Sequence, residues 1–218
     1  MRVTVNGVEL YYEKHGQGRP IVLLHGNGED NSIFDVLIKS LSPSYSVYAI
    51  DSRDHGKSSA VKSLYYSDMM EDVAAFIREM GLDGTILYGF SDGGIIGLLL
   101  AIKYPDMLSK LIVSGANISP DGIKKKWLVL LKINFFFTKS KKCKLMLTQP
   151  DIKDVDLNKI VTPTVILAAS NDVVTDEHTR LIAENIPNSV LSILDGEKHA
   201  SYVIRSEKLY DIIKPYLE

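Results

Sequence analysis

The chain has 218 residues, 45% of them hydrophobic and 24% charged, an ordinary globular composition long enough to bury one substantial core. Its formal net charge of −2 excludes a global attraction to nucleic acid or to anionic membranes, so any such affinity has to be local. Cys143 is the only cysteine, which excludes an intrachain disulfide, and the sequence shows no signal-peptide core and no run of about 18 apolar residues, so a soluble cytoplasmic protein is expected.

Val3-Thr4-Val5 and Val8 to Glu13 flank Asn6-Gly7, and Asn-Gly between two alternating runs predicts a hairpin. Two continuously apolar strands follow, Pro20 to Leu24 and Tyr45 to Ile50, separated by a helix around Ile33 to Leu41. The first ends in His25-Gly26-Asn27-Gly28, the second in the loop from Asp51 to Ser59. A helix from about Ser67 to Met80 leads to a strand over Ile86 to Phe90, a sharp turn at Ser91 and a helix reaching Ala101. Further strands are predicted over Lys110 to Ser114, Thr164 to Ala169 and Ser189 to Leu194, with a closing helix from about Tyr202 to Tyr216. Apolar strands alternating with helices call for an α/β fold: a mostly parallel sheet covered by helices on both faces, with reactive loops at the strands' C-terminal ends. Residues 118–161 break the alternation. They are too long for a plain crossover and are predicted to be an inserted lid on one domain spanning 1–218.

Gly89-Phe90-Ser91-Asp92-Gly93 is a G-x-S-x-G pattern at a strand-to-helix corner, where the serine is held in a strained turn beside the positive end of a helix. The bare pattern also fits an ordinary glycine-rich turn, so its neighbours must decide. A serine nucleophile needs a base, and the base needs a carboxylate to orient it. Of the five histidines, His15 ends the hairpin and His178 falls in the first turn of a helix after Thr175, where a solvated surface role is expected. His25 and His55 each precede a glycine and suit loop shaping. His199 hangs over the same strand ends as Ser91 and is the predicted base. For the carboxylate, Asp172 follows the strand Thr164 to Ala169 and is preferred to Asp176, which suits the first turn of the next helix. Asp195 is too close to its strand end, and Asp92 should point away from the histidine. Two N–H groups are candidates for the oxyanion hole: that of Asp92 at the helix N-terminus and that of Asn27, bracketed by glycines. A plain turn also explains the second.

With these residues in hand, the chain resembles the α/β-hydrolase superfamily over essentially all its length except the lid. The order Ser91, Asp172, His199 matches, as do His25-Gly26-x-Gly28, the Asp51 to Ser59 loop, the Ser91 elbow and Gly196-x-x-His199. Ala169 stands where the family often has glycine, and Asp54-His55 enlarge a usually tighter loop. The resemblance implies a serine hydrolase cleaving a small-molecule carboxylic ester through an acyl-enzyme. It leaves open thioesterase, carbon–carbon bond hydrolase and acyltransferase chemistry, and also a ligand-binding protein that keeps a triad with negligible turnover.

No cofactor and no metal are expected, for the histidines and Cys143 fall in unrelated spacings and no Gly-Lys-Ser/Thr follows the Ser91 glycines. Between Gly122 and Pro150 the predicted lid carries eight lysines (Lys124, Lys125, Lys126, Lys132, Lys139, Lys141, Lys142 and Lys144) and no acidic residue, around Trp127 to Leu131 and Ile133 to Phe137. The apolar residues are expected to roof the site and form the acyl pocket. Solvation of the lid's outer face is the leading account of the lysines. Attraction of an anionic substrate and contact with an anionic membrane surface rank behind it.

Overall fold

Arg2–Val5 (β1) and Val8–His15 (β2) are joined by Asn6 and Gly7, both at positive φ (49° and 74°), the backbone that a two-residue hairpin turn requires. In the computed structural model, which describes residues 1–217, six more strands follow. They are Arg19–Leu24 (β3), Tyr45–Ile50 (β4), Thr85–Phe90 (β5), Leu108–Ser114 (β6), Thr164–Asn171 (β7) and Ser189–Lys198 (β8). The sheet order is β1-β2-β4-β3-β5-β6-β7-β8, with β2 antiparallel to its neighbours and every pairing from β4 to β8 parallel.

The central strands β3, β4 and β5 are largely apolar because both faces are covered. Val22 and Leu24 of β3 join one core with Met69, Val73 and Phe76 of Tyr66–Glu79 (α2) and Ile95 and Leu98 of Asp92–Lys103 (α3). Ile21 and Leu23 alternate to the other face, against Leu37 and Leu41 of Asp35–Leu41 (α1) and Leu209 and Ile213 of Lys208–Ile213 (α8). Each fully buried side chain of this size contributes roughly 2 kcal/mol. The crossover from β6 to β7 carries three α-helices, Lys125–Thr138 (α4), Lys141–Thr148 (α5) and Asp154–Leu157 (α6); Asp176–Glu184 (α7) joins β7 to β8. No helix among the described residues is long and apolar enough to cross a membrane.

Three local expectations need correction. The last strand does not stop at Leu194: after a register shift at Ala169/Asn171 the ladder resumes with Asn171 opposite Lys198, so the polar run that reads as a loop is edge strand. The closing helix does not start at Tyr202. Arg205 has φ 49° and gives its N–H to the Ile33 carbonyl (2.7 Å), which ends the first turn before α8 begins. His178 is not a solvated surface residue, since it is half-buried and its Nε2 accepts a hydrogen bond from the Ile118 N–H (3.0 Å) at the root of the inserted segment.

Candidate active site

The C-terminal ends of β3, β5, β7 and β8 lie along one rim of the sheet and carry Asn27, Ser91, Asp172 and His199. Ser91 sits at φ 52°, ψ −113°, a conformation unusual for a residue with a Cβ and held there by its surroundings. The glycines on either side explain how. A Cβ on Gly89 would meet the Gly93 carbonyl oxygen at 2.2 Å, and one on Gly93 would meet the Leu24 carbonyl oxygen at 2.2 Å. Strand and helix therefore close on each other only with glycine at both positions.

The Ser91 hydroxyl lies 3.2 Å from His199 Nε2, and His199 Nδ1 lies 2.5 Å from Asp172 Oδ1. An ionised carboxylate only accepts, so Nδ1 carries the proton and Nε2 is free to accept from Ser91. Asp172 also accepts from the backbone N–H groups of Val173 (2.6 Å) and Val174 (3.2 Å) at Oδ1 and of Ala169 (3.1 Å) at Oδ2. Burial acts to raise the Asp172 carboxyl. The hydrogen bond and charge of His199, with the amides of Ala169 and Val174, outweigh it and hold the group below its ordinary value. Phe90 packs on the imidazole at 4.9 Å between centroids, and Gly115 leaves room for it, since a Cβ there would lie 2.8 Å from His199 Cε1.

The Asp92 N–H belongs to the first turn of α3, where a helix offers its N–H groups no carbonyl of its own, and the Asn27 N–H lies in the loop that follows β3. Their side chains are tied together: Asn27 Nδ2 donates to Asp92 Oδ2 (2.8 Å), and the Tyr66 hydroxyl donates to Asp92 Oδ1 (2.7 Å). Asp92 thus braces the Asn27 loop. Desolvation pushes its carboxyl up to about 6, against the lowering effect of the Asn27 and Tyr66 hydrogen bonds. A carboxyl raised on folding stabilises the fold fully below its unfolded value, and that stability is lost as pH rises through the folded one. Unfolding free energy of the native chain relative to Asp92→Asn should therefore fall by up to about 3 kcal/mol between about pH 4 and about pH 7. Parallel urea-derived stability curves for the two proteins would contradict this.

The other candidates have structural employment. His25 gives Nδ1–H to the Gly26 carbonyl (2.7 Å) and accepts the Ser52 N–H at Nε2 (3.0 Å), and His55 Nδ1 donates to the Arg53 carbonyl (2.9 Å). In the Asp51 to Ser59 loop, Asp51 accepts from Asn31 and Lys57, while Arg53 grips Asp72 through two bonds of 2.6 Å. Asp176 is exposed and pairs with Arg180 at 2.8 Å.

A cavity of about 330 Å³ opens over Ser91 and His199. Trp127, Leu130 and Leu131 of α4 wall it, with Met146 of α5 and Val173 and Val174 beyond β7, and none of the eight lysines lines it. The charged group that does is Glu29, whose Oε2 accepts the Gly26 N–H at 2.9 Å and whose carboxyl is raised by burial. Sequence reasoning missed Glu29, Tyr66 and Met146. Only Glu29 left a signal, as an acid two residues beyond Asn27. The inserted segment is stitched to the Asp172 loop: the Lys124 N–H donates to the Val173 carbonyl (2.9 Å), the Thr175 N–H to the Gly122 carbonyl (2.8 Å), and Lys124 Nζ to the Asp172 carbonyl (2.7 Å).

The family model of the alpha/beta hydrolase fold matches residues 19–139, more than half of the chain. Serine hydrolase BPHL of Homo sapiens is 34% identical over a stretch covering 53% of this chain and 42% of that protein. Pimeloyl-[acyl-carrier protein] methyl ester esterase of Aliivibrio salmonicida is 31% identical over 50% of this chain and 40% of its own. The chain thus spans less than half the length of these two relatives. Among solved structures, the esterase EaEST from Exiguobacterium antarcticum superposes with a TM-score of 0.85 at 24% identity, covering 97% of this chain and 96% of that one. At that identity the likeness is one of fold.

Proposed function

Because the chain belongs to the alpha/beta hydrolase fold family, we propose that it is a serine hydrolase cleaving a small carboxylic ester through Ser91, His199 and Asp172. The observation that carries this reading is the continuous relay of hydrogen bonds from the Ser91 hydroxyl through His199 to Asp172. Ser91 Oγ attacks the ester carbonyl as its proton passes to His199 Nε2, and Asp172 stabilises the imidazolium that results. The carbonyl oxygen becomes an oxyanion and takes hydrogen bonds from the Asn27 and Asp92 N–H groups. Collapse breaks the ester C–O bond, His199 returns its proton to the leaving alkoxide, and an acyl-Ser91 remains. Water then repeats the sequence: it loses a proton to His199, attacks the acyl carbon and releases the acid and free Ser91.

In the same reading the whole chain is one α/β-hydrolase domain and residues 118–161 are its lid. The apolar wall of Trp127, Leu130, Leu131 and Met146 suits a hydrocarbon acyl or alcohol group, and Glu29 disfavours a substrate charged negatively at that wall. The test is a panel of chromogenic esters of graded acyl length under excess substrate. Release of many equivalents of chromophore per protein is expected, with a preference for uncharged acyl groups. Release that stops near one equivalent would instead identify a ligand-binding protein that keeps the three residues.

A further inference from the structure

Half of the large apolar side chains that stand exposed among the described residues lie on the single helix α4: Trp127, Val129, Leu130, Ile133, Phe136 and Phe137. The helix has no fully buried residue. Its inward stripe is Leu128, Leu131 and Phe135, each half-buried, and its side toward the cavity is Trp127, Leu130, Leu131 and Asn134. Val129, Ile133, Phe136 and Phe137, at i, i+4, i+7 and i+8, make a third, outward face, where Phe136 is 67% and Phe137 76% exposed. A solvated helix would carry polar groups on that face.

Charge says what covers it. Lys125 and Lys132 stand seven residues apart in the helix and so run along one flank of the outward face, and Lys139, the residue that caps the helix, brings its Nζ to 4.9 Å from the Phe136 ring centre. No acidic residue occurs from Gly122 to Pro150, while the remainder of the chain is net negative. An anionic plane therefore attracts this face and repels the rest, which sets one orientation. The helix, about 21 Å long, is too short to span a bilayer but long enough to lie along one.

We propose that α4 docks on the surface of an anionic phospholipid bilayer, with Ile133, Phe136 and Phe137 in the headgroup layer and the flanking lysines on lipid phosphates. Docking puts the cavity wall formed by Trp127 and Leu130 next to the lipid, so that a lipid-dissolved ester enters toward Ser91 along an apolar path. That consequence rests on the hydrolase reading; docking itself does not, and it is measured without turnover.

The experiment is co-sedimentation of the full chain with vesicles of equimolar phosphatidylglycerol and phosphatidylcholine, and with phosphatidylcholine alone. The native chain should pellet with the anionic vesicles and not with the neutral ones. A tenfold rise in salt, which shortens the screening length about threefold, should release it. Lys125→Gln/Lys132→Gln/Lys139→Gln should lower the partition coefficient by about a hundredfold, roughly fivefold for each lysine. Phe136→Ser/Phe137→Ser should lower it by about tenfold or more with the far-UV circular dichroism spectrum and thermal unfolding curve unchanged, which reports that the variant is folded. Failure of the native chain to pellet with anionic vesicles, or equal pelleting with neutral ones, overturns the proposal. So does a dimer in solution that Phe136→Ser/Phe137→Ser dissolves, because a second copy would then be what covers the face.

Discussion

Ser91→Ala is expected to lower turnover of a short ester by on the order of 10⁴–10⁶-fold while leaving unfolding free energy within about 1 kcal/mol of the native value. The Ser91 side chain makes one hydrogen bond, to His199, so its removal leaves no buried partner stranded. The strained backbone stays as it was, since alanine and serine meet the same penalty at φ 52°. Substrate still binds, for the cavity wall and the Asn27 and Asp92 amides remain, and the acyl-enzyme alone is lost. Steady-state rates at saturating substrate beside a thermal unfolding curve check both halves. Retention of a tenth of the native rate would sink the assignment of Ser91 as nucleophile.

The second large effect is expected at the acid. Asp172→Asn should cost about 10⁴-fold in kcat, because a carboxamide can turn its NH2 toward His199 Nδ1 and favour the tautomer with the proton on Nε2, where it can no longer accept from Ser91. The carboxamide would also offer one acceptor oxygen where Asp172 uses both, serving the N–H groups of Ala169, Val173 and Val174. A stability loss of about 1–3 kcal/mol should accompany the variant, and rates must be normalised to the folded fraction. Asp176→Asn is the control. Its carboxylate is exposed and engages only Arg180 one helical turn away, so kcat should change less than about twofold. The reverse ranking of the two variants would transfer the acid's role to Asp176.

The parts of this molecule legible in the sequence are those written in local pattern. Asn6-Gly7 marks its turn because few other pairs tolerate two positive φ values, and the strands from β3 to β7 announce themselves because burial on both faces leaves no polar alternation. The meeting of Ser91, Asp172 and His199 was legible too, for in a parallel sheet residues just past the strand ends share one rim. What was illegible depends on contacts far apart in sequence. Asp195 to Lys198 look like a loop, and only pairing across a shifted register makes them strand. His178 looks solvated until Ile118, 60 residues away, gives it a hydrogen bond. Asp92 discloses nothing of Tyr66 or Asn27, and neither the bracing of the Asn27 loop nor the raised carboxyl could be read without them. The segment between β6 and β7 was half legible. Its apolar residues do wall the cavity through Trp127, Leu130 and Leu131, but Ile133, Phe136 and Phe137 face outward, because a helix has more sides than one pocket can use.

The distance along the chain between Ser91 and His199, 108 residues, has a meaning on the ribosome. Synthesis proceeds at about 5–20 residues per second, so roughly 5–20 s separate the appearance of the hydroxyl from that of the imidazole that would activate it. Throughout that interval β8 is missing from the sheet and His199 has no strand end to stand on. Under the proposed mechanism a nascent chain therefore carries an inert serine, and a message broken anywhere before His199 yields a product without the base that ester cleavage needs.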